Sequence, residues 1–237
     1  MDSKIDPENV AKYYNELPSV WPECDSWYLY TRSEIAKFIQ QNPFEKTDYI
    51  LNAGAGDLDY DIHGKVHHVD IAEEKIKDRP LHTVANIENL PFANNSFNGI
   101  VCVGSVLNYC DAIAAISELS RVLCNGGKMI LEFESSCSYE FLGKSTFAKD
   151  AELALFTYQG QPHQNWIFSP TYIKTILNQN GLQVRNKRYI HILSSLALHF
   201  GKTEEEASKF AKYDKIIRWF PMLNSHGSNI ILVCIKH

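Results

Sequence analysis

The sequence predicts an α/β protein with a seven-stranded, mostly parallel sheet and helices on both faces. From about residue 48, short apolar runs typical of buried strands alternate with segments whose apolar residues recur at helical spacing. Such alternation favours parallel strands, because each crossover helix packs onto a face of the sheet. The chain has 237 residues, of which 45% are hydrophobic and 22% charged, which is sufficient for one large core.

The first 46 residues are predicted to form a helical N-terminal cap. Asp6 can cap a helix with Pro7 at its first position. A second helix is expected to start at Thr31, with Glu34 completing a capping box. Four aromatic side chains of the cap can either roof a substrate pocket or attach the cap to the sheet. They are Trp21, Trp27, Tyr28 and Tyr30.

The rest of the chain supplies the sheet and its helices within the same single domain. Residues 47–136 form its first half, and residues 137–237 form a substrate-side half with a helical insertion at about 195–222. Helices are expected after the caps Asp111 and Ser169, and over 203–220. The seven predicted strands cover residues 48–53, 65–70, 81–85, 99–104, 128–134, 182–193 and 229–237.

The segment "AGAGDLDYDIHGK" joins the first two strands and combines two closely spaced glycines at its start, Gly54 and Gly56, with three aspartates. Gly54 and Gly56 let the backbone approach a ligand, but a dinucleotide site has a third glycine where this chain has Asp59. A phosphate would face carboxylates here. A calcium loop is disfavoured because Ile62 stands where that loop has its turn glycine. A cationic nucleoside without phosphate, such as S-adenosylmethionine, fits better, with Asp70 accepting hydrogen bonds from both ribose hydroxyls.

Two further expectations concern the length of this segment and the two histidines that follow it. Because it is short for a parallel crossover, its helix is expected to be a single turn or missing. His67 and His68 are adjacent on a predicted strand and therefore project to opposite faces. No metal site is predicted.

Four stretches of the sequence, over residues 48–135, resemble the motifs of a known protein family. In order, they are "YILNAGAGD", "VHHVDI", "ANIENLPFANNSFNGIVCVGSVLNY" and "ISELSRVLCNGGKMILEFE". This ordered set resembles the motifs of class I S-adenosylmethionine-dependent methyltransferases of the small-molecule, type 11-like kind. The resemblance implies a Rossmann-like fold, S-adenosylmethionine as cofactor and a small-molecule acceptor. Three residues depart from the usual motifs, namely Asn52, Leu58 and Asn86.

The resemblance also implies roles for individual positions. The glycine turn would hold the methionine moiety, Asp70 the ribose, and Ile71, Asn86 and Ile87 the adenine. The residues after the fourth strand would line the floor of the site, and a tyrosine of the cap would close over the methionine end. The implied cofactor-binding set is Tyr14, Asn52, Ala53, Gly54, Gly56, Asp70, Ile71, Asn86, Ile87, Gly104 and Ser105.

Three residues are candidates for deprotonating an acceptor: Tyr109, Glu134 and His163. Tyr109 and Glu134 follow predicted strands, and His163 is expected in a loop, where polar residues often carry function. His191 is expected within a strand as a satisfied core residue.

The composition narrows the classes of partner that the protein is expected to bind. A net charge of −5 without a basic stripe disfavours nucleic acid. The polar start and the lack of any 18-residue apolar run favour a cytoplasmic protein without membrane spans. Six cysteines without a C-x-x-C pair indicate reduced thiols. We expect a monomer or homodimer. A catalytically silent partner subunit and, less favoured, a nicotinamide-dependent oxidoreductase remain as alternatives.

Overall fold

A computed structural model of the protein describes residues 5–158, 161–220 and 223–237. The strands in these ranges are β1 (Tyr49–Ala53), β2 (Lys65–Asp70), β3 (His82–Val84), β4 (Phe97–Cys102), β5 (Leu123–Glu134), β6 (Ala151–Tyr158), β7 (Gln161–Phe168), β8 (Leu182–Ile190) and β9 (Asn229–Lys236). The α-helices are α1 (Pro7–Glu16), α2 (Ser26–Gln41), α3 (Glu73–Ile76), α4 (Ala112–Val122), α5 (Pro170–Gln179), α6 (Ile192–His199), α7 (Glu204–Ser208) and α8 (Asp214–Ile217). All helices in the described ranges are too short or too polar to cross a membrane.

Seven strands form one sheet in the order β3-β2-β1-β4-β5-β9-β8. The first five in this order pair in parallel, whereas β9 runs antiparallel to both β5 and β8. The predicted fold class is confirmed. After β1 the chain moves outward to β2 and β3, then returns to place β4 on the other side of β1. A crevice therefore opens beyond the carboxyl ends of β1 and β4, where ligands bind in sheets of this kind.

Helices cover both faces of the sheet. Leu119 of α4 and Ile173 of α5 are fully buried in the apolar layer on one face. Ile35 and Phe38 of α2 are buried in the layer on the other face. Each such side chain contributes about 1.5–3 kcal/mol by leaving water. The sheet is therefore fixed from both sides, and its strand ends hold stable positions for a site.

The second helix starts earlier than the sequence predicted. Asp25 accepts hydrogen bonds from the backbone N–H groups of Trp27 and Tyr28 and caps α2. Thr31 lies inside the helix, where its hydroxyl donates to the carbonyl of Trp27 at 3.1 Å. The predicted start at Thr31 with Glu34 in a capping box is therefore wrong. Asp25, six residues upstream, caps the helix instead, and aspartate is among the strongly preferred cap residues.

The chain between β1 and β2 is helix-free over residues 54–64, which confirms the expected loss of the first crossover helix. Asp6, Asp111 and Ser169 cap α1, α4 and α5 as predicted.

The predicted helix over 203–220 is wrong as a continuous element. Its capping box at Thr203 and Glu206 is present, but the helix ends at Ser208 and a second short helix starts at Asp214. The fully buried Asp214 carboxylate accepts from the backbone N–H groups of Ile192 and Leu193, at 3.1 and 3.0 Å. This tertiary contact caps α6, and it places the start of the helical insertion at 192.

Two histidines lie in other elements than predicted. β8 ends at Ile190, so His191 precedes α6 with a positive φ of 59° and is not a strand residue. β6 and β7 form an antiparallel hairpin outside the main sheet, in which Phe156 pairs with His163. The loop position predicted for His163 is therefore wrong. The polar run "QPHQNW" lacks the apolar alternation that predicts a half-buried strand.

Candidate cofactor and acceptor site

A cleft of about 870 Å³, including its open mouth, lies beyond the carboxyl ends of β1 and β4. Its volume falls within the range of about 300–1,000 Å³ that is common for ligand sites. Eight of the eleven predicted cofactor positions line this cleft. They are Tyr14, Gly54, Gly56, Asp70, Ile71, Asn86, Ile87 and Gly104.

The other three predicted positions lie elsewhere. Asn52 and Ala53 are buried and do not line the cleft, and the Asn52 amide nitrogen lies 3.4 Å from His68 Nδ1. Ser105 lines a second cavity, which adjoins the cleft. Asn52 therefore connects two strands beneath the site.

Asp70 ends β2 with its carboxylate beside the glycine turn. It accepts from the backbone N–H groups of Gly56 at 2.9 Å and Ala72 at 2.8 Å. Burial raises the pKa of Asp70 even though these donors oppose the shift. A carboxylate that has lost water gains from every further donor. Ligand hydroxyls in the cleft would supply such donors.

The glycine turn is tightly enclosed. Gly54 has a φ of 69°, and a Cβ there would come within 2.2 Å of Val106. Gly56 has a φ of 53°, and a Cβ there would lie 2.9 Å from Val20. Both glycines supply a backbone conformation that other residues adopt only with strain. They form a cradle that side chains would fill, which fits close approach of a ligand to the backbone.

One aspartate of this segment contacts the N-terminal cap, and Arg79 contacts two of them. Asp57 accepts from the backbone N–H of Val20 at 3.2 Å. Arg79 donates to the carbonyl of Asp57 at 3.0 Å, and its guanidinium lies 3.6 Å from the Asp59 carboxylate. At least part of the acidic character of this turn therefore serves attachment of the segment that covers the cleft.

Sequence reasoning missed several residues of the cleft. Most come from the cap and from the turn after β4, whose position over the crevice depends on tertiary contacts. The missed lining residues include Pro7, Val10, Val20, Trp21, Tyr60, Lys75, Glu88, Val106 and Cys110.

A second cavity of about 970 Å³, including its mouth, adjoins the cleft. Four residues line both spaces, namely Tyr14, Trp21, Gly104 and Tyr109. The structure brings all three candidate catalytic residues to this cavity, since Glu134 and His163 line it together with Tyr109. Of the four cap aromatics, Trp21, Trp27 and Tyr28 line it and Tyr30 does not.

A chain of hydrogen bonds connects three side chains at the junction of the two spaces. The Tyr14 hydroxyl donates to the Tyr109 hydroxyl at 3.0 Å, and Tyr109 lies 2.6 Å from His163 Nε2. Burial raises the pKa of Tyr109 well above its ordinary value and lowers that of His163. At neutral pH the phenol is therefore protonated and the imidazole is neutral, so the Tyr109 hydroxyl can donate a hydrogen bond to Nε2 of His163.

Glu134 is the last residue of β5 and faces the second cavity. Asn108 fixes its backbone by accepting from the Glu134 N–H at 3.0 Å, and it also donates to the carbonyl of Trp166. The Asn165 amide donates to Glu134 Oε2 at 3.2 Å. Burial, with a smaller effect from Glu132, raises the pKa of Glu134 to about 7. A carboxyl with this pKa can exchange a proton near neutral pH.

His191 supports a wall of the cavity. Its ring stacks on Trp27 with centroids 3.7 Å apart, and its Nε2 lies 2.8 Å from the Thr31 hydroxyl. Burial lowers its pKa to about 3, so the ring is neutral. His191 is buried as predicted, but the prediction of a satisfied strand residue is wrong, because its Nδ1 has no hydrogen-bond partner and the residue precedes α6.

Glu140 gives a testable effect on stability. Burial, with a smaller effect from Glu134, raises its pKa from 4.5 to about 8. Because the folded state holds this proton more tightly than the unfolded state does, the stabilisation is complete below pH 4.5 and is lost as the pH rises through 8. We expect Glu140→Gln to stabilise the protein by about 1–2 kcal/mol at pH 9 and by little at pH 5. The effect at pH 9 is moderate because the side chain is partly exposed and solvent screens its charge.

Chemical denaturation of Glu140→Gln at both pH values measures this effect. The exposed Glu205 on α7 provides the matched Glu205→Gln control. Equal stabilisation of the Glu140 variant at pH 5 and pH 9 would contradict the raised pKa.

Comparisons with known proteins agree with this geometry. Residues 53–131 match the family described as "Methyltransferase domain". A demethylmenaquinone methyltransferase of Symbiobacterium thermophilum is 23% identical over 236 aligned positions, which cover 84% of this chain and 91% of that protein. The geranyl diphosphate C-methyltransferase of Streptomyces coelicolor A3(2), solved with Mg²⁺, geranyl diphosphate and S-adenosyl-L-homocysteine, has a TM-score of 0.60 at 15% identity and covers 98% of both chains. The [4+2]-cyclase SpnF has a TM-score of 0.62 at 13% identity, with 98% of this chain and 97% of that chain covered.

Residues 53–131 match a methyltransferase domain, and the sheet order and the glycine turn with Asp70 at its side agree with that match. The chain as a whole has the Rossmann-like fold of the methyltransferases compared above. The nicotinamide-dependent alternative is not supported.

Proposed function

We propose that the chain is a class I S-adenosylmethionine-dependent methyltransferase, which transfers a methyl group by in-line displacement to a small molecule bound in the second cavity. The observation that carries the proposal is the shared wall of the two spaces, formed by Tyr14, Trp21, Gly104 and Tyr109. An acceptor in the second cavity would therefore lie beside a cofactor in the cleft. Alignment of two reactants in this way can contribute about 7–11 kcal/mol to catalysis.

The nature of the relatives supports a small acceptor. The names of the two methyltransferases compared above refer to demethylmenaquinone and geranyl diphosphate. The net charge of −5 gives no general attraction for nucleic acid. In this proposal residues 1–237 act as one methyltransferase unit in the cytoplasm, as a monomer or homodimer.

The chain's own side chains would orient the acceptor and remove its proton. When bound, S-adenosylmethionine supplies a methyl group already activated by a sulfonium. Glu134 can accept a proton directly at its carboxylate. Tyr109 can pass one to His163 Nε2, because it lies between the junction of the spaces and that nitrogen. The protein therefore offers two routes for a proton away from the acceptor.

We expect His163→Ala to lower the rate of methyl transfer by about 100-fold, the lower end of the effect of general acid–base catalysis. His163 lines only the second of the two spaces, so affinity for S-adenosylmethionine should stay within a few-fold of wild type. The assay uses S-adenosylmethionine with an isotopically labelled methyl group and a protein-free extract of small metabolites. Mass spectrometry then measures labelled products.

His199→Ala, at the end of α6 and outside both linings, is the control variant. Label that appears only in a parallel reaction with the protein and RNA fraction of the same cells would contradict the acceptor class. Binding of S-adenosylmethionine without any labelled product would favour the catalytically silent subunit.

A further inference from the structure

The walls of the second cavity have an unusual composition. Three carboxyl side chains line it, and the described lining includes neither lysine nor arginine. The acidic residues are Glu134, Glu140 and Glu204. Aromatic side chains from the cap, the segment after β4 and the hairpin complete the enclosure. They are Tyr14, Trp21, Trp27, Tyr28, Tyr109 and Phe156.

Asn165 adds an independent observation. It is only 3% exposed and lines the same cavity. Its amide nitrogen donates to Glu134, but its side-chain oxygen Oδ1 has no hydrogen-bond partner. A buried acceptor of this kind costs free energy until a donor reaches it. The missing donor is therefore expected on the ligand.

This composition disfavours two other ligand classes. An anionic acceptor such as a diphosphate would face carboxylates without a compensating cation. A metal ion could neutralise them, but in the described ranges no group of three or more His, Cys, Asp or Glu side chains is placed to hold one. A neutral hydroxyl acceptor would satisfy Asn165 but would bring no positive charge to the three carboxyls.

We propose that the acceptor is an aliphatic amine that enters the second cavity as an ammonium ion, an inference that rests on the methyl-transfer function proposed above. An ammonium group supplies donors for Asn165 and for the carboxylates of Glu134 and Glu140. The faces of aromatic rings attract such a cation as well, and Trp is the most effective of them. The cavity then holds both the charge and the organic portion of the amine.

The chemistry balances with residues already at the site. The ammonium loses one proton to the Glu134 carboxylate, and the neutral amine nitrogen uses its lone pair to form the new C–N bond. The bond between methyl and sulfur breaks with its electron pair remaining on sulfur. The product is an N-methylammonium ion and a neutral thioether, and Glu134 returns its proton to solvent. The raised pKa values of Glu134 and Glu140 agree with carboxyls that await a cation.

Calorimetry on the full chain tests the proposal in two steps. S-adenosylmethionine and S-adenosylhomocysteine are titrated first, and failure of both to bind would overturn the proposed function itself. With S-adenosylhomocysteine saturating, three probes that share one ring are then titrated. They are tyramine, its alcohol analogue tyrosol, and 4-hydroxyphenylacetate. We expect tyramine to bind about ten-fold or more tightly than the alcohol, and the carboxylate to bind least.

Variants identify the residues that cause the preference for the amine. Glu140→Gln keeps the shape of the side chain and should remove most of the preference for the amine over the alcohol, and Glu134→Gln should do the same. Glu205→Gln lies outside the cavity and should retain the preference. Unchanged affinity for S-adenosylhomocysteine shows that each variant is folded.

The amine proposal is overturned if the alcohol or the carboxylate binds as tightly as tyramine. It is also overturned if none of the probes binds to protein that holds S-adenosylhomocysteine, or if both glutamine variants retain the full preference. In each of these cases the first titration still shows whether the cofactor binds. Failure of the amine proposal can therefore be distinguished from failure of the proposed methyl-transfer function.

Discussion

Asp70→Ala should weaken binding of S-adenosylmethionine by about 100-fold, because hydrogen bonds to a charged group contribute about 1.5–3 kcal/mol each and two ribose hydroxyls would lose their acceptor. The substitution also removes the partner of the Gly56 and Ala72 N–H groups. The glycine turn would then lose a contact that shapes the cleft. Isothermal titration calorimetry measures the loss directly.

Thermal unfolding gives a second measurement of the same effect. Ligand at 100 times the wild-type dissociation constant stabilises the wild type by about 2.7 kcal/mol, and a 100-fold weaker variant by only about 0.4 kcal/mol. In a protein of this size each kcal/mol corresponds to about 2–4 °C in Tm. The ligand-induced shift should therefore almost disappear in the variant, whatever its Tm without ligand.

Asp78→Ala is the control, since Asp78 is an exposed aspartate that follows α3 outside the cleft. It should retain the full shift. Wild-type affinity in Asp70→Ala would contradict the assignment of Asp70 to the ribose and leave the location of the cofactor open.

Local patterns were sufficient to predict that several of the named residues lie around one cleft. The glycine turn, Asp70 and Asn86 each follow a strand, and in a parallel sheet the carboxyl ends of the strands meet along one edge. Their proximity follows from topology alone. The three candidate catalytic residues also lie around one cavity, although the structure places His163 in a strand.

Tertiary contacts explain what the sequence did not reveal. Asp214 lies where the predicted helix is interrupted, and its carboxylate caps α6 by accepting from Ile192 and Leu193. The sequence pattern allowed a continuous helix as well, and this contact between distant segments accompanies the break. Exchanging one cap for another alters stability by about 1 kcal/mol, so packing easily overrides the local preference.

Glu132 is the clearest example of a residue whose role the sequence did not reveal. In "KMILEFE" it occurs as a single glutamate between apolar neighbours, which on a strand indicates only that it faces the opposite side from Leu131 and Phe133. The structure buries it completely. Its Oε2 accepts from the backbone N–H groups of Gly104 at 2.9 Å and Ser105 at 2.6 Å, and its Oε1 accepts from the Asn229 amide at 2.7 Å.

We expect Glu132→Ala to destabilise the protein by about 4 kcal/mol, because it leaves three buried donors without a partner and each costs about 1–3 kcal/mol. The Tm should fall by about 8–16 °C. Gly104 and Ser105 have positive φ values of 84° and 59°. Backbone in this conformation persists only where its surroundings hold it.

Glu132→Gln provides the matched comparison. It keeps one acceptor for the turn, and a flip of the Asn229 amide can satisfy its new donor, so its cost should be about 1–2 kcal/mol. Glu152→Ala on β6, outside both linings, should change stability little. Because Gly104 lines the cleft and the second cavity alike, Glu132→Ala should weaken binding of cofactor and acceptor together at temperatures where it remains folded. Equal Tm values for the Ala and Gln variants would show that the Gly104–Ser105 turn keeps its shape without the carboxylate.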